Sequence, residues 1–535
     1  MPPSSKQRQP RVATATATAT AMALALALAL ALAMAMASLL AACANGDAPA
    51  GANSIDVDQG TVIDNITVVD TRDGVLSPGM TLVLNQGRIT RMLPTPTQRP
   101  LRIASGVTRV DGSGQYLVPG FLDMHTHAMP APGQLQTHWP VLLAHGITGV
   151  REMSGSAAQI ARARLLNADI ADGRLNAPEV LQMPADLVAG NPTAAAVVAM
   201  VGTHKAAGAD FIKLINANRE STLALIAEAG KQGLGVAGHL PIAISAVDAS
   251  QAGMRAIEHL GSGMGILLDC AADEAAIRRS MLSGGAARPP FPPTFVVSPT
   301  LYRAVEAPLY QRVLDSQDAA KCNAVTQGLA RQQTWQVPTL LRLKTMATSS
   351  DAAWRNDPQL AYVDKTTRAL WQSLADQYAS QVPAAAAATF RAHFAANQQL
   401  TSLMLKNGVK LLAGSDLGGI WIIPGASLHQ EFAELAAAGL SPLQVLQSTT
   451  LNGAEFLGRQ ASMGTVAVGK AADLVLLAAN PLASVAHLGR ISGVVLKGRY
   501  IAKAELDAMK QGAALAYAAQ PMKHLNAVLD PLHVH

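Results

Sequence analysis

Short apolar segments alternate with alanine-rich helical stretches through the middle of this chain, and that alternation limits its folds more than any other feature. Residues 147–152, 211–215, 235–240, 256–260, 335–340 and 409–416 read as strands. Residues 157–167, 221–232, 246–252 and 400–406 read as helices. A strand that returns parallel to its predecessor needs a crossover, which a helix supplies. The pattern therefore predicts an α/β protein with a parallel sheet, and a (β/α)8 TIM-like barrel is the expected case. The flanks differ. Residues 60–118 and 461–504 read as short β segments with glycine turns, including a hairpin turn at Asn85-Gln86-Gly87. On the residues alone these are two small β regions. A long excursion at 269–330, with Arg288-Pro-Pro-Phe-Pro-Pro-Thr294, is expected to form a lid or irregular cap.

At 535 residues the chain is long enough for a barrel with an accessory domain. Hydrophobic residues make up 50% and charged residues 14%, which excludes a disordered chain. The net charge of +5 is small for this length and Lys and Arg are scattered, so nucleic acid is not an expected partner.

Residues 1–43 read as an export signal. Lys6, Arg8 and Arg11 precede an apolar Ala-Leu and Ala-Met run that ends in Leu40-Ala41-Ala42-Cys43. That ending resembles a bacterial lipobox, which implies cleavage before Cys43 and a lipid on its sulfur. A plain signal peptide or a membrane anchor is the alternative. Residues 44–59 read as a tether. The expected address is the periplasm or outer membrane, with membrane contact only through the lipid. Residues 505–535 form a tail without a legible motif. Cys270 and Cys322 sit in no metal-type cluster; whether they pair as a disulfide stays open.

The chemistry begins at Val118-Pro-Gly-Phe-Leu-Asp-Met-His-Thr-His127. Alternate side chains of a strand share a face, so His125 and His127 point the same way and can grip one metal ion. Four further residues end or interrupt apolar strands. Lys213 lies in Asp210-Phe-Ile-Lys-Leu-Ile215, where a desolvated amine has a lowered pKa and can react with carbon dioxide. The alternative for it is a snorkelling or ion-paired lysine. His239 lies in Gly235-Val-Ala-Gly-His-Leu-Pro241, where Gly238 leaves room beside a metal, and His259 in Ala256-Ile-Glu-His-Leu260; each alone is as compatible with a packed core histidine. Asp416 lies in Leu411-Leu-Ala-Gly-Ser-Asp-Leu-Gly-Gly419, placed for general acid/base work or, more simply, for a turn. His429 reads as structural, and His145 is not a ligand.

Together these motifs resemble the amidohydrolase superfamily, in its imidazolonepropionase- and prolidase-like branch, from about residue 63 to about residue 500. The resemblance implies a barrel over 119–460 and a small β-sandwich built from the two flanks. It implies two divalent metal ions, zinc by expectation. His125, His127, Lys213 and Asp416 would hold one, and His239, His259 and Lys213, as a bridging N6-carboxylysine, the other. Asp416 would also be catalytic. The implied activity is hydrolysis of a C–N bond in a small-molecule amide or dipeptide, with self-association left open. Two rivals remain: a mononuclear deaminase- or lactonase-like hydrolase, and a catalytically degenerate ligand-binding lipoprotein.

Overall fold

A computed structural model of the chain describes residues 54–95, 100–129, 137–283 and 301–522. The export signal, Cys43 and most of the tether lie outside them, as do the proline-rich segment at 288–294, His524, His533 and His535. The described chain divides into two compact units. β1 (Ile55–Val57) pairs with β5 (Leu101–Ile103); of this stretch the first unit takes residues 55–56 and 100–102, with Ile55 N donating to Pro100 O at 3.0 Å. All that follows concerns the second.

Both flanks contribute to one sheet. β2 (Thr61–Val69), β3 (Leu76–Asn85), β4 (Arg88–Pro94), β6 (Thr108–Asp111) and β7 (Tyr116–Pro119) come from before the barrel region. β16 (Leu474–Leu477), β17 (Ile491–Leu496) and β18 (Arg499–Ala502) come from after it. The order is β18-β17-β16-β7-β2-β3-β4, with β6 beside β2. The join is β16 antiparallel to β7, with Val475 opposite Val118. Ile63, Ile66, Leu82, Leu84, Leu117, Leu474, Leu476 and Val495 form the cluster that makes the pairing favourable. At the β3–β4 turn, Gln86 and Gly87 both have positive φ (49° and 71°), as a tight primed hairpin turn requires.

The middle of the chain is α/β with parallel sheets. β8 (Phe121–Thr126), β9 (Ile147–Glu152) and β10 (Glu179–Gln182) form one sheet. β11 (Val188–Ala189), β12 (Phe211–Asn216), β13 (Gly235–Gly238), β14 (Ala256–Glu258) and β15 (Trp335–Val337) form another. Isolated parallel bridges join Pro184 to Phe211, Gln336 to Leu411 and Thr126 to Leu417. Residues 409–416, expected as a regular strand, hold only part of a ladder. Leu412 N donates to Gln336 O at 2.9 Å on one side, and Met124 N to Ala413 O at 2.9 Å on the other.

The period of two along these strands builds the site. Phe211 and Lys213 share a face of β12, as do Ala256 and Glu258 of β14 and Trp335 and Val337 of β15. The first members, with Val337, Leu122, Met124 and Leu412, pack into one buried apolar cluster. Lys213 and Glu258 lie one step further toward the carboxyl ends, buried at 1% and 0% exposure.

Three expectations are corrected. The excursion is not irregular where it is described: it holds helices Glu274–Ser283, Ala307–Asp315 and Ala319–Arg331. Residues 400–406 are the end of one long helix, Ala384–Lys406, because nothing between them and the alanine run breaks it. The tail begins with a helix, Lys503–Ala519, that packs against helix His138–Ala144.

The structure joins Cys270 and Cys322 as a disulfide across 52 residues, tying the end of helix Gly265–Asp269 to helix Ala319–Arg331. Closing a loop of that length stabilises the fold by about 4 kcal/mol in the chain-entropy account. We expect mass analysis to find no free thiol among these two without reductant, and reduction to lower the melting temperature by several degrees. Two free thiols in the untreated protein would contradict the bond.

Candidate metal centre

Three histidines converge on one carboxylate. His125 Nε2 is 3.2 Å and His127 Nε2 is 3.4 Å from Asp416 Oδ1, and His259 Nδ1 is 3.8 Å from Asp416 Oδ2. His125, His259 and Asp416 each offer a ligand atom within 4.8 Å of the others. The His239 ring lies 5.1 Å from that of His259. Lys213 Nζ is buried, with no hydrogen-bond partner. Of the six expected ligands, His125, His127, His239, His259 and Asp416 thus lie at or beside this cluster, and Lys213 is near enough to feel the charges of Asp416 and Glu258.

The backbone that presents them is unusual in places. His259 and Asp416 both have left-handed φ (57° each), a conformation that costs a non-glycine residue about 1–3 kcal/mol and persists where surroundings enforce it. At His259 this turn follows directly on Glu258, so two neighbouring side chains both reach the cluster. Gly414 is needed for closeness: a Cβ there would lie 2.7 Å from His125 Cβ. Gly238 serves a different end from the one expected. A Cβ would meet the Leu214 carbonyl oxygen at 2.1 Å, so the glycine admits the neighbouring strand rather than making room beside a metal.

Electrostatics favour neutral imidazoles. Burial lowers His127, and lowers His239 and His259 well below the usual range, reinforced at His239 by Lys213 and at His259 by Arg342. Burial brings Lys213 down to about 8, against the pull of Glu258 and Asp416. At Asp416 burial works upward, but His259 and His125 hold the carboxyl well below the ordinary value. The atoms His125 Nε2, His127 Nε2 and both Asp416 oxygens are buried and make no directed hydrogen bond. Imidazole nitrogens and an ionised carboxylate, buried, converging and without directed hydrogen bonds, fit a divalent metal ion.

Several supporting residues were not singled out in the sequence. Glu258 Oε2 is 2.7 Å from His125 Nδ1, and Glu258 Oε1 accepts from Arg151 Nη1 at 3.0 Å. That leaves His125 Nε2 free to face the cluster. Ser154 Oγ lies 2.9 Å from His127 Nδ1, and Thr339 Oγ1 lies 2.6 Å from His259 Nδ1. Asp123 accepts from Ser415 N (2.9 Å) and Ser415 Oγ (2.6 Å), pinning the Asp416 segment to β8. Arg342 Nε lies 3.0 Å from Asp416 Oδ2. His429 Nε2 donates to His145 O at 2.9 Å and its ring packs edge-on to Phe121 and Phe432, away from the cluster. His145 Nδ1 lies 2.8 Å from the Val141 carbonyl oxygen.

Residues 391–501, which include Asp416, match the sequence profile of the amidohydrolase family. Over that stretch the chain is similar to the amidohydrolase family. The reading of the sequence as a hydrolase of carbon–nitrogen bonds stands with that match. No curated protein matches the chain in sequence. Among solved structures, a bottromycin amidohydrolase is similar at 22% identity and a TM-score of 0.64, over 88% of this chain and 93% of that one. A Xaa-Pro dipeptidase with bound methionine is similar at 17% identity and a TM-score of 0.55, over 83% and 99%. An ochratoxinase from A. niger is similar at 16% identity and a TM-score of 0.53, over 83% and 96%. At these identities the likeness is one of fold.

Proposed function

We propose that this chain is a metal-dependent amidohydrolase that cleaves the C–N bond of a small amide or dipeptide-like substrate. The observation that carries the reading is the buried convergence of His125, His127 and His259 on the Asp416 carboxylate, whose oxygens make no directed hydrogen bond. His125, His127, Lys213 and Asp416 would hold one zinc ion; His239, His259 and the same Lys213 would hold the other. Divalent ions held by these residues would supply Lewis acidity toward a substrate carbonyl and toward a water at neutral pH.

The rest is the work of side chains. Lys213, brought by burial down to about 8, sheds its proton more readily than a solvated lysine and would then add to carbon dioxide: an N–C bond forms, a proton leaves, and the carbamate offers two oxygens. Glu258 and Ser154 hold His125 and His127 by their Nδ1 atoms. Asp416 takes the proton of the attacking water and delivers it to the departing nitrogen, so that a carboxylic acid and an amine are released.

The same proposal reads the two parallel sheets as one (β/α)8 barrel. The bridges Pro184–Phe211, Gln336–Leu411 and Thr126–Leu417 support it by linking successive strands in ring order. It also reads the flanking sheet as the family's accessory sandwich. Two of the similar structures are of an amidohydrolase and a Xaa-Pro dipeptidase, which supports a peptide-type amide. Export and lipid attachment at Cys43 complete the proposal; mass analysis of the membrane-extracted protein is expected to show a lipidated Cys43 as first residue.

The test is a screen of zinc-loaded protein against dipeptides and N-acyl amino acids, read by mass spectrometry as paired acid and amine. Release of a pair is the expected result. No release from any amide, with ammonia or a ring-opened lactone produced from other substrates, would move the reading to a deaminase or lactonase.

A further inference from the structure

We infer that Glu152 is the residue that positions His127 for a metal ion, its carboxylate taking over where the strand pairing stops, one residue before the histidine. The inference rests on the proposed metal centre.

β8 ends at Thr126, whose partner across the parallel ladder is Glu152, the last residue of β9. His127 therefore lies beyond the ladder. The period of two that sets His125 and His127 on one face holds only while the chain stays extended, so past Thr126 something else must keep it so. On the β9 side that group is the Glu152 side chain. Its Oε1 accepts from Ala128 N at 2.8 Å and from Thr126 Oγ1 at 2.9 Å. The Thr126 hydroxyl lies further, at 3.3 Å, from the Arg151 carbonyl oxygen. The two donors are the residues on either side of His127, so one carboxylate oxygen brackets the histidine. Met153 N donates to Thr126 O at 2.9 Å, and Ser154 Oγ lies 2.9 Å from His127 Nδ1. Residues 152–154 thus hold residues 126–128 from one side. On the other, His127 N donates to Leu417 O at 2.8 Å.

Two further observations single out Glu152. It is fully buried, and its Oε2 makes no hydrogen bond. A buried carboxyl left half satisfied costs free energy that an apolar side chain would not, so what Oε1 holds must offset that cost. His127 is also the ligand that most needs holding. Its side chain is 9% exposed, against 0% for His125 and 2% for His259, and it stands outside the tight group of His125, His259 and Asp416. His125 is placed by its own strand; His127 is placed by a neighbour's carboxylate. Glu152 acts through His127 and is a positioning residue.

The test is zinc affinity, by competition with a chromophoric chelator, of wild type, Glu152→Ala, Glu152→Gln, His127→Ala and the double alanine variant. The visible spectrum of each cobalt-loaded form and the hydrogen exchange of residues 126–129 in each metal-free form are recorded beside it. We expect Glu152→Ala to weaken zinc about 10–100-fold, the usual range for a group that orients a ligand, and to shift the cobalt spectrum to that of His127→Ala. Glu152→Gln keeps an oxygen acceptor and is expected to recover most of the affinity. The double variant is expected to bind no more weakly than His127→Ala, because groups that act through one another do not add. Wild-type affinity in Glu152→Ala, or losses that add in the double variant, overturns the inference. If Glu152→Ala does not fold, Glu152→Gln and Glu152→Asp decide: the glutamine should outbind the aspartate, which keeps the charge but shortens the reach, and the reverse order overturns the inference. A wild type that binds no zinc would remove the metal reading. Exchange then decides the bracket: faster exchange at residues 126–129 in Glu152→Ala supports it, and unchanged exchange overturns it.

Discussion

Asp416→Asn is expected to slow turnover about 1,000-fold on whichever amide the wild type cleaves, within the range for loss of a positioned general acid/base. The substitution keeps the shape of the side chain and removes its ability to carry a proton. It also removes the carboxylate that pairs with Arg342 among the described residues, so some loss of stability accompanies the loss of rate. His125, His127, Lys213, His239 and His259 remain, so metal is expected to be retained at least in part. Steady-state rates beside elemental analysis of the same sample check this. A wild-type rate with metal unchanged would remove Asp416 from the reaction.

The second large effect is one of stability. Arg151 is fully buried, with its guanidinium carbon 4.5 Å from the Phe211 ring centre and 4.8 Å from that of Phe456. Its charge is answered by Glu258 at 3.0 Å. Burial alone pushes the Glu258 carboxyl upward, but Arg151 and His125 outweigh it and hold the group at about 2. Glu258→Ala leaves Arg151 buried without its carboxylate, a loss of about 3–5 kcal/mol. Scanning calorimetry of the metal-free protein is expected to show a melting temperature lower by on the order of 10 °C. Because Glu258 also orients His125, metal affinity is expected to fall about 10–100-fold. An unchanged melting temperature would show that Arg151 finds another partner.

What could be read from the sequence, and what could not, follows from the range of the forces involved. His125, His127, Lys213, His239, His259 and Asp416 each end or interrupt an apolar strand, and the alternation of strands with helices predicts that such ends meet. Those are local signals. Glu258 immediately precedes His259, yet its role depends on Arg151, 107 positions earlier, and on His125, 133 positions earlier. No periodicity shows such partners. Arg342 carried a cue that was passed over: a guanidinium inside Leu340-Leu-Arg-Leu343, a run too apolar for a solvated arginine. The segment at 409–416 was legible as extended but not as irregular, because its ladder is set by both neighbours rather than by its own residues. The helix Lys503–Ala519 was missed for a simpler reason: it has no side-chain cap at its start.

The central claim is that this buried cluster is a two-metal centre bridged by a modified Lys213. The most direct measurement is metal per chain by elemental analysis, on protein starting after Cys43 and expressed with zinc and bicarbonate. The account predicts about two ions, as a two-metal hydrolase requires, falling in Lys213→Ala. One ion unaffected by that change would contradict the bridged centre and point to a mononuclear site. No ion, in protein that stays inert after zinc loading, would contradict the metal centre altogether.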